Sequence, residues 1–129
     1  MEKRVLVVED SAPNRALLHD LLSRVFVCVV DSAEDGEGAV SMVKENPPDL
    51  VLMDVGLPGM DGTEATRVLK SDPTTRAIPV LALTGYSSDE DERRLLDSGF
   101  DGFLPKPFDV PQLLRTLSRH LTVRPDIRI

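Results

Sequence analysis

The sequence contains no tryptophan, one tyrosine and one cysteine. A lone thiol, Cys28, excludes an internal disulfide, and its place in the apolar run Phe26 to Val30 points to a packed, inert side chain. No apolar stretch reaches the roughly 20 residues that a bilayer-spanning helix needs, so no membrane contact and a cytoplasmic location are expected. Positive charge is in deficit, with 15 Lys and Arg against 22 Asp and Glu and a formal net charge of −7. That balance disfavours a sequence-independent grip on a phosphate backbone, and no direct nucleic-acid partner is expected. Internal repeats, low-complexity tracts and Gly/Ser linkers are missing, as are the glycine-rich phosphate loops of nucleotide-binding proteins. The two histidines, His19 and His120, have no ligand set at metal-site spacing around them and read as surface or helix-end residues.

What is present is the pattern of one α/β domain. The 129 residues, 41% hydrophobic and 29% charged, suit a single domain with its own core. Short runs rich in Val and Leu lie at Arg4–Glu9, Phe26–Asp31, Leu50–Asp54, Pro79–Thr84 and Gly102–Pro105. Their nearly continuous hydrophobicity predicts strands buried on both faces. Between them, apolar residues recur at helical spacing: Leu18, Leu21, Leu22 and Val25; Ala39, Met42 and Val43; Ala65, Val68 and Leu69; Val110, Leu113, Leu114, Leu117 and Leu121. A further helix over Ser87 to Asp97 has Ser87 and Glu90 as a capping-box candidate and Gly99 as its stop, but only Leu95 and Leu96 as apolar surface. Strict alternation of strand and helix predicts a doubly wound parallel sheet with five helices. Strand order 2-1-3-4-5 is common at this size, although periodicity does not choose it over a Rossmann-like order. The domain is expected over residues 1–122, with a short tail over 123–129.

Ligands of open α/β sheets bind beyond the carboxyl ends of the strands. Glu9 and Asp10 end the first run, Asp54 the third and Thr84 the fourth, and Lys106 follows the fifth. Three carboxylates in one crevice repel one another, and a hard cation such as Mg²⁺ relieves that repulsion while keeping sites open for water or a phosphoryl oxygen. A lysine and a hydroxyl beside such a crevice match the positioning and charge neutralisation on which phosphoryl transfer depends. A carboxylate can then serve as nucleophile. Each residue alone has an ordinary structural explanation: Asp at turns and caps, Lys at surfaces, Thr in strands. Their joint placement at four strand ends does not.

With these residues in place, the chain resembles the receiver domain of two-component response regulators, from about Arg4 to Leu121. The resemblance rests on the acidic pair of VLVVED, the segment PDLVLMDVGLPGMDG around Asp54, PVLALTG with Thr84, and FLPKPF with Lys106 and Pro107. It implies the flavodoxin-like order 2-1-3-4-5, Asp54 as phosphoacceptor, and Mg²⁺ held by Asp10, Asp54 and the Gly56 carbonyl, with Glu9 acting through water. Thr84 and Lys106 would contact the phosphoryl oxygens, Phe103 would be the switch aromatic, and the Lys106–Pro107 bond would be cis. Gly56 and Tyr86 occupy positions that tune phosphoryl lifetime in that family, and Gly85 keeps space beside the site. The implied partners are a histidine kinase or phosphotransfer protein and a downstream protein bound through the fourth helix, fifth strand and fifth helix. The implied activity is self-phosphorylation and slow dephosphorylation, not turnover of an external substrate. A phosphatase using Asp54 as a covalent intermediate is the enzymatic alternative, and the short connections leave it no cap insertion. A receiver-shaped module that is never phosphorylated is the third reading.

Overall fold

The computed structural model describes residues 2–85 and 88–126. Five strands, β1 (Lys3–Val8), β2 (Cys28–Ala33), β3 (Leu50–Asp54), β4 (Val80–Thr84) and β5 (Gly102–Pro105), form one sheet. Five helices connect or follow them: α1 (Ala12–Val25), α2 (Gly36–Glu45), α3 (Gly62–Ser71), α4 (Asp89–Asp97) and α5 (Val110–Leu117). Every pairing is parallel and the order is β2-β1-β3-β4-β5, the flavodoxin-like arrangement. The chain therefore reverses direction across the sheet between β1 and β3, and a crevice opens above their carboxyl ends.

Alternation along the central strands divides the core into two layers. Val5, Val7, Leu50, Leu52, Leu81 and Leu83 face α1 and α5, where they meet Leu18, Leu22, Leu113 and Leu117. Leu6, Val8, Val51, Met53, Val80 and Ala82 face the other way and pack with Ala39, Val43, Ala65, Leu69 and Leu95. Each helix starts on a capping side chain: Ser11, Asp35, Asp61, Ser88 and Asp109 accept the backbone N–H three residues further on. At the end of α4, Gly99 has φ +107° and the Phe100 N–H returns to the Leu95 carbonyl. This left-handed stop is the role expected of Gly99.

Several sequence-based boundaries are corrected. Burial on both faces holds for β3 and β4, whereas the edge strand β2 exposes Val29 and Ser32. Its run starts at Cys28, not Phe26, because Phe26 leaves the sheet and forms an antiparallel bridge with Val123. Cys28 is buried, with its thiol directed at the Leu22 carbonyl, and burial pushes its pKa up. The α4 cap is Ser88 with Asp91, one residue later than the motif predicted; Ser87 and Tyr86 lie outside the described residues. Leu121 belongs to the turn after α5 yet is buried in the same core. His19 is exposed on α1, and His120 lies past the α5 end. The start of the segment read as a tail is docked: the Val27 N–H donates to Thr122, and Arg124 donates to the carbonyls of Val25 and Ser23. Residues 127–129 lie outside the described residues.

Candidate functional site

Sheet register assembles the crevice. Val8 pairs with Met53, so the next residues, Glu9 and Asp54, emerge side by side. Thr84 pairs with Pro105, so Lys106 leaves β5 beside the Thr84 strand end, and the Lys106 N–H donates to the Thr84 carbonyl at 2.8 Å. The Lys106–Pro107 peptide is cis. Close approach of α3 requires Gly62: a Cβ there would stand 2.1 Å from the Asp54 carbonyl oxygen. Only glycine lets that helix start directly behind the acidic strand end.

Within the crevice, Lys106 Nζ lies 3.1 Å from Asp54 Oδ2 and 3.6 Å from Glu9 Oε1. Asp54 Oδ1 accepts the Gly56 N–H at 3.0 Å. Glu9, Asp10 and Asp54 each place a carboxylate oxygen within 4.8 Å of the other two. Glu9 and Asp54 are 1% and 6% exposed, while Asp10 is open to solvent. Thr84 is buried at the β4 end, Gly56 is exposed in the loop after Asp54, and Gly85 has nothing within 4 Å of an added Cβ. Phe103 is half-buried against the α4 side of the core.

The electrostatics are those of carboxylates held close without enough counter-charge. Burial, followed by the hydrogen bond with Asp54, raises Glu9 to about 7. Burial would raise Asp54 as well, but its hydrogen bonds from Glu9, the Gly56 N–H and Lys106 outweigh this and hold it below the usual carboxylate value. The pair therefore gives up its last proton at a higher pH than an isolated glutamate does. Glu9 Oε2 is buried and receives no hydrogen bond. A proton or a cation can satisfy that orphaned oxygen, and a divalent ion would also offset the three charges together. Hard oxygen donors with one solvent-facing side fit Mg²⁺, which keeps part of its water shell.

Two residues that strand-end reasoning did not single out brace the acidic pair from α1. Asn14 Nδ2 donates to Glu9 Oε1 at 2.6 Å. Arg15 Nη1 donates to the carbonyls of Glu9 and Asp10 at 2.8 and 3.0 Å, and its other nitrogen reaches Glu34 at 3.4 Å. The signal available in the sequence was position: both fall in the first turn of the helix that follows the acidic pair.

Three carboxylates, a hydroxyl and an ammonium thus gather at the switch point of a doubly wound domain. The chain belongs to the response regulator receiver domain family, whose family model matches residues 5–118. It is 36% identical over 121 residues to the polar-differentiation response regulator DivK of Brucella anthropi, covering 94% of this chain and 98% of that protein. Among solved structures, it resembles the chemotaxis response regulator CheY4 of Vibrio cholerae with a TM-score of 0.86 and 30% identity, covering 94% of this chain and all of the other. It also resembles the receiver domain of the sensor histidine kinase PA1611 from Pseudomonas aeruginosa, determined with a magnesium ion coordinated in the active-site cleft. That match has a TM-score of 0.83 and 32% identity and covers 93% and 98% of the two chains. Receiver domains act in two-component signalling and are generally not turnover enzymes. Among the described residues, no helix is long and apolar enough to cross a membrane.

Proposed function

We propose that Asp54 accepts a phosphoryl group from a phosphohistidine of a histidine kinase or phosphotransfer protein, and that this modification switches a partner-binding face. The observation that carries the proposal is the 3.1 Å approach of Lys106 Nζ to Asp54 Oδ2 inside the three-carboxylate crevice. An Asp54 oxygen forms the new bond to phosphorus as the donor's phosphorus–nitrogen bond breaks, its electron pair leaving with the imidazole. Lys106 neutralises charge on the transferring group, and the Thr84 hydroxyl donates to another of its oxygens. Asp10 and Asp54, with the Gly56 carbonyl, would hold Mg²⁺ directly, and Glu9 would do so through water. When bound, Mg²⁺ supplies charge neutralisation to the phosphoryl oxygens.

Two surfaces suit the partners. A groove of about 340 Å³ lined by Asn14, Leu17, Lys106, Pro107 and Phe108 borders the lysine, and Leu17, 46% exposed, offers an apolar contact to a phosphodonor protein. A second groove of about 560 Å³ runs over α4, β5 and α5, with Phe103 in its wall and Leu96, 49% exposed, at its edge. Displacement of Thr84 toward a phosphoryl group would draw Phe103 inward and reshape this second surface, which then binds the downstream partner.

The test is phosphotransfer from radiolabelled phosphorylated kinases, or from acetyl phosphate, to wild type and Asp54→Asn with Mg²⁺ present. Base-labile label is expected on wild type and none on the variant. Equal label on both would remove Asp54 from the role.

A further inference from the structure

The acidic pair carries an asymmetry in how its first member is held. Glu9 is longer than an aspartate by one methylene, so fixing its carboxylate freezes an additional rotor. Its Oε1 has the Asn14 amide at 2.6 Å and the Lys106 ammonium at 3.6 Å. Its Oε2 has no donor and is buried. The donor itself is well anchored: Ser11 caps the Asn14 N–H at 3.4 Å, and Arg15, the next residue, ties the carbonyls of Glu9 and Asp10 to the same helical turn.

We infer that Asn14 is a positioning residue for the metal site: its amide holds Glu9 Oε1 and so fixes the orientation of the Glu9 carboxylate beside Asp10 and Asp54. The inference rests on the reading of Glu9, Asp10 and Asp54 as the Mg²⁺ site. Lys106 alone would be a poor substitute for Asn14. A full positive charge on a flexible stem attracts either carboxylate, whereas the neutral amide holds Glu9 in place without adding charge to the crevice. With Asn14 present, the ammonium stays closer to Asp54 than to Glu9, 3.1 against 3.6 Å. Without it, Glu9 would re-pair with Lys106 and its orientation toward a cation would be lost. Groups that orient metal ligands from outside the coordination sphere commonly change affinity by about 10- to 100-fold when removed.

Isothermal titration of the whole chain with Mg²⁺ tests this in wild type, Asn14→Ala, Asn14→Leu and Asn14→Gln. The Leu variant retains the branched shape of asparagine at Cγ without the amide donor, and the Gln variant retains the donor. Affinity is expected to fall about tenfold or more in the Ala and Leu variants and to recover most of the way in the Gln variant. Metal-free thermal unfolding, followed in parallel, should leave all four proteins folded at the titration temperature. Leu binding Mg²⁺ like wild type would assign Asn14 a packing role and overturn the inference, as would three variants that all bind like wild type. A wild-type protein that takes up no Mg²⁺ would overturn the metal site itself, a different failure from equal binding by wild type and variants.

Discussion

The two halves of the crevice are supported very differently. On the acidic side, β1 and β3 are central strands, α1 buries Leu18, Leu22 and Val25, and Asn14 and Arg15 add side-chain braces to the carboxylate-bearing turn. On the side of Thr84 and Lys106, α4 buries Leu95 alone and begins with Asp89, Glu90, Asp91 and Glu92 in succession. Those acids complement the helix dipole but repel one another at neighbouring positions. The strand beside this helix, β5, is a four-residue edge. A stiff half can hold ligands in fixed geometry, and a loosely anchored half can adopt a second arrangement at low free-energy cost. Under the proposed function, such packing suits a division of labour between holding and switching.

Matched core deletions break or sharpen this contrast most strongly. Leu18→Ala removes a fully buried side chain from the stiff half and is expected to lower global stability by about 2–5 kcal/mol. Leu95→Ala removes the single buried anchor of α4, so its main expected effect is a loss of local protection in that helix, with a smaller change in the global denaturant midpoint. Chemical denaturation and amide exchange on both variants provide the measurement. If α4 amides exchange only through global unfolding in wild type and in Leu95→Ala alike, the two halves are one cooperative unit and the contrast fails.

Much of the crevice was legible in the sequence, because a parallel sheet brings all strand carboxyl ends to one edge. Glu9, Asp54, Thr84 and Lys106 could be placed together from run lengths alone, and the sheet register bears that out. The family resemblance supplied the strand order that periodicity left open. What escaped was contact made by reach. Asn14 and Arg15 act through side chains that turn back onto β1, and nothing in an apolar pattern encodes that direction. Gly62 escaped for a related reason, since its requirement is the proximity of the Asp54 carbonyl and not a turn conformation. Phe26 misled because an aromatic residue before a Val-rich run reads as strand, while its actual neighbour, Val123, is remote in sequence.

Protons provide an intermediate effect confined to the stiff half. Glu9, raised by burial and by Asp54 to about 7 from 4.5, stabilises the metal-free fold through its bound proton. That stabilisation is complete below the unfolded value and is lost as pH rises through about 7, at no more than about 1.4 kcal/mol per pH unit. A charged Glu9 favours Mg²⁺ held through water, and the same proton competes with it, so affinity should fall as pH drops below about 7. Metal-free stability and Mg²⁺ affinity are thus expected to move in opposite directions between about pH 5 and pH 8. Thermal melts and titrations across that range check both slopes. Parallel trends, or affinity independent of pH, would show that Glu9 is not the proton-bearing group of the site.

The smallest expected effect is the one that matters for output. Loading the site with Mg²⁺ and a beryllofluoride mimic of the phosphoryl group changes contacts only at Thr84, Lys106 and the acidic crevice. The resulting population shift is bounded by the difference in those contacts between two arrangements, so it should be partial. Its location should follow the softness of the structure. Thr84 directly precedes the loop into α4, and Phe103 lies half-buried on the neighbouring strand, so a small movement of one hydroxyl biases both elements. The braces from Asn14 and Arg15 should keep α1 unchanged. Hydrogen exchange with Mg²⁺ alone, compared with Mg²⁺ plus the mimic, is expected to alter protection over residues 88–108 while α1 and α2 stay constant. Altered protection in α1 and α2, with residues 88–108 unchanged, would reverse the assignment of holding and switching to the two halves.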